Sequence, residues 1–200
     1  MRVTQEQYDI AAKEKYPNRD ERLIIWTWYL QQRQGTYEQR VPRYKAAVKQ
    51  LLTMGLDDDS IILDFGAGWC EFDYYLRRSK DWKGRIINVD GAINGQELNR
   101  IYKSDYTDVD FVVCLETIEH LEKPGETIFE LENYVTSGLV FTTPNPETVD
   151  VLAMDETHSV GIGIAEWTAM KYEAEARTLR GTENDTILAW KDVRSGEAAD

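Results

Sequence analysis

Cysteine, histidine and proline are scarce in this 200-residue chain, with two, two and five respectively. Two cysteines, Cys70 and Cys114, make no disulfide framework, which excludes a small stapled secreted module. No apolar run approaches the ~20 residues that a bilayer-spanning helix needs. Arg2 is followed by polar residues rather than an apolar core segment, so no secretory signal and no membrane partner are expected. A cytoplasmic, reducing compartment is the corresponding expectation. Basic residues are outnumbered, 23 Lys and Arg against 36 Asp and Glu. The net charge of −13 leaves no basic face for a broad nucleic-acid footprint.

What is present suits one globular domain, with 42% hydrophobic and 11% aromatic residues. The charge is uneven. Residues 1–50 hold ten Lys/Arg and six Asp/Glu, a balance of +4, while the other 150 hold 13 and 30, a balance of −17. The first segment, 1–57, reads as a helical lid or cap. Thr4 with Gln7 forms a capping box, a helix over 22–34 stops at Gly35, and a third starts near Pro42 and ends at Gly55. Trp26, Trp28, Tyr29, Tyr37 and Tyr44 lie among Arg19, Arg22, Arg33, Arg40, Arg43 and Lys45. Most of these aromatics are expected to pack the helices on a sheet, with one face lidding a ligand.

From Ile61 onward, short apolar runs alternate with helical patterns. Strands are expected at 61–65, 85–90, 110–114 and 138–142, apolar throughout as in a parallel sheet covered on both faces. Helices fall at 71–79, 126–134 and 165–172. Residues 176–190, with Gly181-Thr182-Glu183-Asn184-Asp185 in the middle, read as a hairpin. The fold class is therefore α/β, Rossmann-like, closed by a C-terminal antiparallel hairpin, with a domain over 58–193 and a frayed tail over 194–200.

The most informative stretch is Asp64-Phe65-Gly66-Ala67-Gly68-Trp69-Cys70-Glu71, followed by a second buried strand ending at Asp90. Glycines at 66 and 68 let the backbone turn sharply and approach a ligand. The acid closing the next strand sits where a ribose diol would be held. Dinucleotide folds want a third glycine where this chain has Glu71, and a carboxylate there repels pyrophosphate. S-adenosylmethionine carries a positive sulfonium and ammonium and no phosphate, so acids in the turn suit it. Asp64 suits the ammonium.

These residues resemble the class I S-adenosylmethionine-dependent methyltransferases over about 59–190. Asp64 to Cys70 matches their D-x-G-x-G-x-G motif, with Cys70 in place of the last glycine, a substitution that needs φ < 0 or local strain. Asp110 to Glu116 matches the fourth strand and Val140 to Asn145 the fifth. The resemblance implies a seven-stranded, mostly parallel sheet whose third strand is stunted, because the stretch between Asp90 and Asp110 is short. It implies that Asp64, Gly66, Ala67, Gly68, Asp90 and Gly91 hold the cofactor, with Cys114 and Leu115 at the end of the fourth strand and Asp105 as candidate adenine contact. Read from the residues alone, Cys114 ends an apolar strand and is a small packed residue.

Both histidines fall near the end of this motif set. Glu116-Thr117-Ile118-Glu119-His120 leaves the fourth strand, and positions i, i+3 and i+4 share a helix face. His158 lies beyond the fifth strand. Oxygen ligands with imidazole suit Mg²⁺, Mn²⁺ or Fe²⁺. The E-x-x-E-H spacing resembles small-RNA 3′-end 2′-O-methyltransferases and ubiquinone-pathway O-methyltransferases, which implies Glu116, Glu119, His120 and His158 as metal ligands. Glu119, His120 and His158 are the catalytic candidates, with a histidine acting directly as base if no metal binds. The expected activity is methylation of a hydroxyl on a small molecule. A nucleic-acid end is the alternative substrate, and a non-catalytic binding protein on the same fold is the competing class.

Overall fold

A computed structural model describes residues 3–13, 21, 24, 28, 34–68, 70–90 and 109–196, with backbone alone at 34–36, 195 and 196. Its strands are β1 (Ile61–Phe65), β2 (Arg85–Val89), β3 (Val109–Leu115), β4 (Val135–Pro144), β5 (Glu173–Arg177) and β6 (Thr186–Asp192). They form one sheet in the order β2-β1-β3-β4-β6-β5, in which β2, β1, β3 and β4 run parallel. β6 pairs antiparallel with β4 and with β5, so the expected terminal hairpin is there. Six strands rather than seven occur among the described residues. The short segment expected to hold the other, 91–108, lies outside them.

Helices are α1 (Gln5–Ala11), α2 (Gln34–Thr53), α3 (Glu71–Lys80), α4 (Pro124–Glu132), α5 (Val151–Met154) and α6 (Ile164–Ala169). Among the described residues none is long and apolar enough to cross a membrane. The capping box holds: Gln7 N donates to Thr4 Oγ1 at 3.3 Å, and Thr4 N donates to Gln7 Oε1 at 2.9 Å. α2 differs from expectation. Its described span, Gln34–Thr53, runs through Gly35 and Pro42, where local punctuation predicts a stop and a start. Proline forfeits one helical hydrogen bond. The face carrying Tyr44, Ala47, Val48 and Leu51 is buried against the sheet, and packing of that kind outweighs local propensity.

Strand alternation divides the core in two. Leu63, Phe65, Val112, Cys114, Leu139, Phe141, Ile187 and Ala189 join one cluster. Ile62, Phe111, Val113, Leu115, Val140 and Leu188, one residue out of phase, join the other with α2 and α3. The period of two along a pleated strand produces this split, and it makes each strand apolar on both sides. A register irregularity between Val109 and Phe111 puts one extra residue of β4 opposite Asp110, and Val109 joins the same cluster as Val112. Fully burying each Leu, Val, Ile or Phe stabilises by about 1.5–3 kcal/mol. Phe141, Trp167 and Tyr172 pack at centroid separations of 5.0, 5.2 and 5.5 Å, pinning α6 and the start of β5 to the sheet. Trp167 is fully buried, and truncation to alanine there costs about 3–5 kcal/mol.

The chain end is tied down further than expected. Val193–Gly196 forms a 3-10 turn, and Arg194 donates to the Met54 carbonyl and to Asp192. Only 197–200 of the expected tail lie outside the described residues.

Candidate functional site

The sheet order changes direction between β1 and β3, and loops leaving the two strands separate there to leave a crevice. A cavity of about 590 Å³ occupies that position, over the C-terminal ends of β1, β2 and β3. Its size falls in the range of small-molecule and cofactor sites.

The glycine turn forms one wall. Gly66 N and Ala67 N both donate to the Val89 carbonyl, at 2.8 and 3.1 Å, which ties the turn to β2. Gly66 has φ +79°, and a Cβ there would meet the Thr117 hydroxyl at 2.1 Å, so both the backbone and the neighbour demand glycine. Gly68 has φ +52°, and a Cβ there would stand in open space. Gly68 N donates to Asp90 Oδ2 at 2.8 Å. Cys70 caps α3 with φ 57° and ψ 31°, a left-handed conformation that costs an L residue about 1–2 kcal/mol. The strain anticipated for this position is therefore present. Asp64 is 2% exposed, and its Oδ2 has no hydrogen-bond partner. Burial, with Asp73 and Asp90 adding repulsion, pushes its carboxyl well above the usual carboxylate range. Glu71 faces the same cavity, but Arg40 Nη1 and the Tyr44 hydroxyl donate to its Oε2 at 3.0 and 2.6 Å.

The opposite wall starts where β3 ends. Glu116 has φ 56°, turning the chain into a 3-10 turn at Ile118–His120. Glu119 is fully buried, and neither carboxylate oxygen has a hydrogen-bond partner. Burial raises its pKa to about 7. His158 reaches this turn because Ser159 is stitched to it: Ser159 N and Oγ donate to the Glu119 carbonyl at 2.8 and 3.0 Å. The two imidazole rings then lie 4.5 Å apart. Nδ1 of His120 pairs with Thr157 Oγ1 at 2.8 Å and Nδ1 of His158 with the Val151 carbonyl at 2.6 Å. Both are second partners of the kind that orient an imidazole whose other nitrogen works. Burial, then the neighbouring His158, lowers the pKa of His120, favouring the neutral ring. Ligand atoms of Glu119, His120 and His158 all lie within 4.8 Å of one another.

The expected metal set is thus gathered in part. Glu116 stands apart from that group: its Oε2 accepts from Arg180, and its Oε1 lies 3.9 Å from Arg43 Nε. Arg180 is delivered by the turn of the β5–β6 hairpin. There Asp185 accepts from the backbone of Leu179, Arg180 and Thr182 at 2.8–2.9 Å. No sequence pattern marked Arg180 or Thr117. Arg40, Arg43 and Tyr44 do lie in the segment read as a lid, and all three line the cavity. Of the expected cofactor residues, Asp64, Gly66, Ala67, Gly68, Asp90 and Leu115 line it as well. Cys114 does not: it is fully buried in the core, since its side chain alternates away from that of Leu115. Gly91 and Asp105 lie outside the described residues.

No protein-family profile and no curated protein sequence matches the chain. Solved structures do. One is a chain from the complex of the Haloferax volcanii Trm112 methyltransferase activator with a candidate methyltransferase: TM-score 0.61, 15% identity, 82% of this chain and 92% of that one. Another is the plantazolicin methyltransferase BpumL with S-adenosylhomocysteine (SAH): TM-score 0.54, 13% identity, 93% of this chain and 97% of that one. BpumL with a triazolic desmethylPZN analog and SAH matches with TM-score 0.54 and 13% identity, over 94% and 99% of the two chains. This chain has the Rossmann-like fold of S-adenosylmethionine-dependent methyltransferases.

Proposed function

We propose that this chain is an S-adenosylmethionine-dependent methyltransferase that methylates a hydroxyl of a small molecule. One observation carries the reading. A single cavity joins a glycine turn with paired acids at one end to a buried carboxylate without partners, beside two imidazoles, at the other.

The glycine end fits the cofactor. Gly68 leaves open space where a side chain would intrude, Asp64 offers an unpartnered buried oxygen to an ammonium, and Asp90, held against the glycine turn by Gly68 N, supports a ribose diol there. The bound cofactor supplies an electrophilic methyl group on a sulfonium. At the far end, Glu119 accepts the hydroxyl proton while the imidazoles of His120 and His158 orient the oxygen. Burial raises the pKa of that carboxyl to about 7, as a base of this kind requires. Glu119, His120 and His158 also form an oxygen–nitrogen donor set that fits Mg²⁺ or Mn²⁺. Such an ion would lower the hydroxyl's pKa. The acidic protein favours a small acceptor over a nucleic-acid end.

Calorimetry tests the reading. Wild type is expected to bind SAH with micromolar affinity, and Asp90→Ala to weaken it by about 10–100-fold through loss of charge-assisted hydrogen bonds. No binding by wild type, or an unchanged affinity in the variant, overturns it. Metal analysis of the purified chain, and turnover before and after chelation, decide separately whether the ion takes part.

A further inference from the structure

Three arginines converge on the cavity of a protein whose net charge is −13. Two of them are paired. Arg40 donates to Glu71, and Arg180 donates to Glu116. The third, Arg43, is 8% exposed, and its Nε is buried without a hydrogen-bond partner; the Glu116 oxygen it faces lies 3.9 Å away. That is beyond hydrogen-bond distance. Glu119 and Asp155 are the other acids at this end; both Glu119 oxygens lack hydrogen-bond partners and Asp155 accepts from Thr157, so neither hydrogen-bonds to Arg43.

A guanidinium Nε taken out of water without a hydrogen bond is costly, and the cost is recovered when an anion accepts from it. With Arg40 matched by Glu71 and Arg180 by Glu116, the Arg43 Nε is left without a hydrogen-bond acceptor. A planar carboxylate meets the arginine fork in bidentate fashion, and in a cavity lined by acids a monoanion enters at less electrostatic cost than a phosphate dianion.

The seat and the cofactor end draw on different elements. Asp64, Gly66, Gly68 and Asp90 belong to β1, β2 and the turn after β1. Arg180 comes from the β5–β6 hairpin, at the opposite side of the sheet, and meets Glu116 at the end of β3. Arg43 faces that same Glu116. We propose that Arg43, backed by Arg180, seats a carboxylate of the acceptor, so that the substrate is a hydroxylated carboxylic acid. The proposal rests on the methyl-transfer reading above. The carboxylate on Arg43 then leaves the hydroxyl to reach Glu119 and the two histidines.

Two probe pairs test it by calorimetry, 4-hydroxybenzoate against 4-hydroxybenzamide and lactate against lactamide, each with SAH-loaded and with cofactor-free protein. At least one carboxylate is expected to bind wild type about tenfold or more tightly than its amide, the effect of a charge-assisted contact. Arg43→Gln should abolish that preference, with SAH affinity within twofold of wild type; Arg43→Lys should retain part of it. If Arg43→Gln does not fold, as judged by its thermal transition, Arg180→Gln provides the same reading. No carboxylate preference in either pair overturns the proposal, as does tighter binding of inorganic phosphate than of either carboxylate. A tenfold loss of SAH affinity in Arg43→Gln also overturns it, because the anion seated there is then the cofactor's own carboxylate. Failure of wild type to bind SAH sinks the methyl-transfer reading instead, and the cofactor-free arm still judges the arginine seat.

Discussion

The two ends of the cavity differ in how the chain builds them. At the glycine end, Asp64, Gly66, Gly68 and Asp90 come from one strand, its turn and the next strand, and local hydrogen bonds such as Gly68 N to Asp90 hold them. At the acceptor end, Arg43, Glu116, Glu119, His158 and Arg180 come from α2, the end of β3, the loop before α6 and the β5–β6 hairpin. The first end has its geometry set by backbone conformation. The second is set by packing and by stitches such as Ser159 to Glu119 and Asp185 to the hairpin backbone. A ligand-holding turn tolerates little substitution, whereas an assembled wall can change its chemistry one side chain at a time.

The sharpest test of this division is at Glu119. Glu119→Gln removes the carboxylate proposed as base and keeps its volume, so turnover should fall by about 10²–10⁴-fold while SAH affinity stays within twofold. A large loss of SAH affinity in this variant would show that the two ends are not separable. Single-turnover kinetics with calorimetry on the same preparation read both quantities.

Gly66→Ala should break the other end. The left-handed backbone costs about 1–2 kcal/mol with a side chain, and overpacking against Thr117 adds about 1–3 kcal/mol. Denaturant unfolding should show the sum, and SAH binding should be lost. Adding Thr117→Ala should recover the overpacking part only. Full recovery would mean that backbone conformation contributes nothing.

The smallest effect is expected at Asp64, where binding and stability oppose one another. Its folded pKa is raised by burial above the unfolded value. Its favourable contribution is therefore complete below the ordinary carboxylate range and is lost as pH rises through the raised value. Relative to wild type, cofactor-free Asp64→Asn should gain stability between pH 5 and pH 8, on the order of 1–3 kcal/mol. That is a few degrees in melting temperature at ~2–4 °C per kcal/mol for a chain of this size. The same variant should bind S-adenosylmethionine more weakly. A melting difference that is flat with pH would place the Asp64 carboxyl in the ordinary range.

Much of the sheet was legible because its signals are local. Apolar runs of strand length, the turn at Gly66–Gly68, the acid at Asp90 and the hairpin around Asp185 each appear within a few consecutive residues. The continuity of α2 through Gly35 and Pro42 is not legible in the sequence, because both are strong local punctuation, while the packing that overrides them involves strands far along the chain. Cys114 was read in two ways, and alternation along β3 decided for the core.

By itself the amino-acid order determined the α/β architecture, the glycine turn after β1 and the acids and imidazoles that stand as candidates for the site. Hydrophobic period and glycine conformation act over neighbouring residues, so no knowledge of the rest of the chain is needed to see them. Only the tertiary structure decided that Glu116 turns to arginine rather than to the histidines, that Arg180 arrives from the hairpin, and that Arg43 Nε and both Glu119 oxygens are buried without hydrogen-bond partners. Those outcomes depend on which side chains share a small, water-poor space, and that is settled by packing between segments remote in sequence.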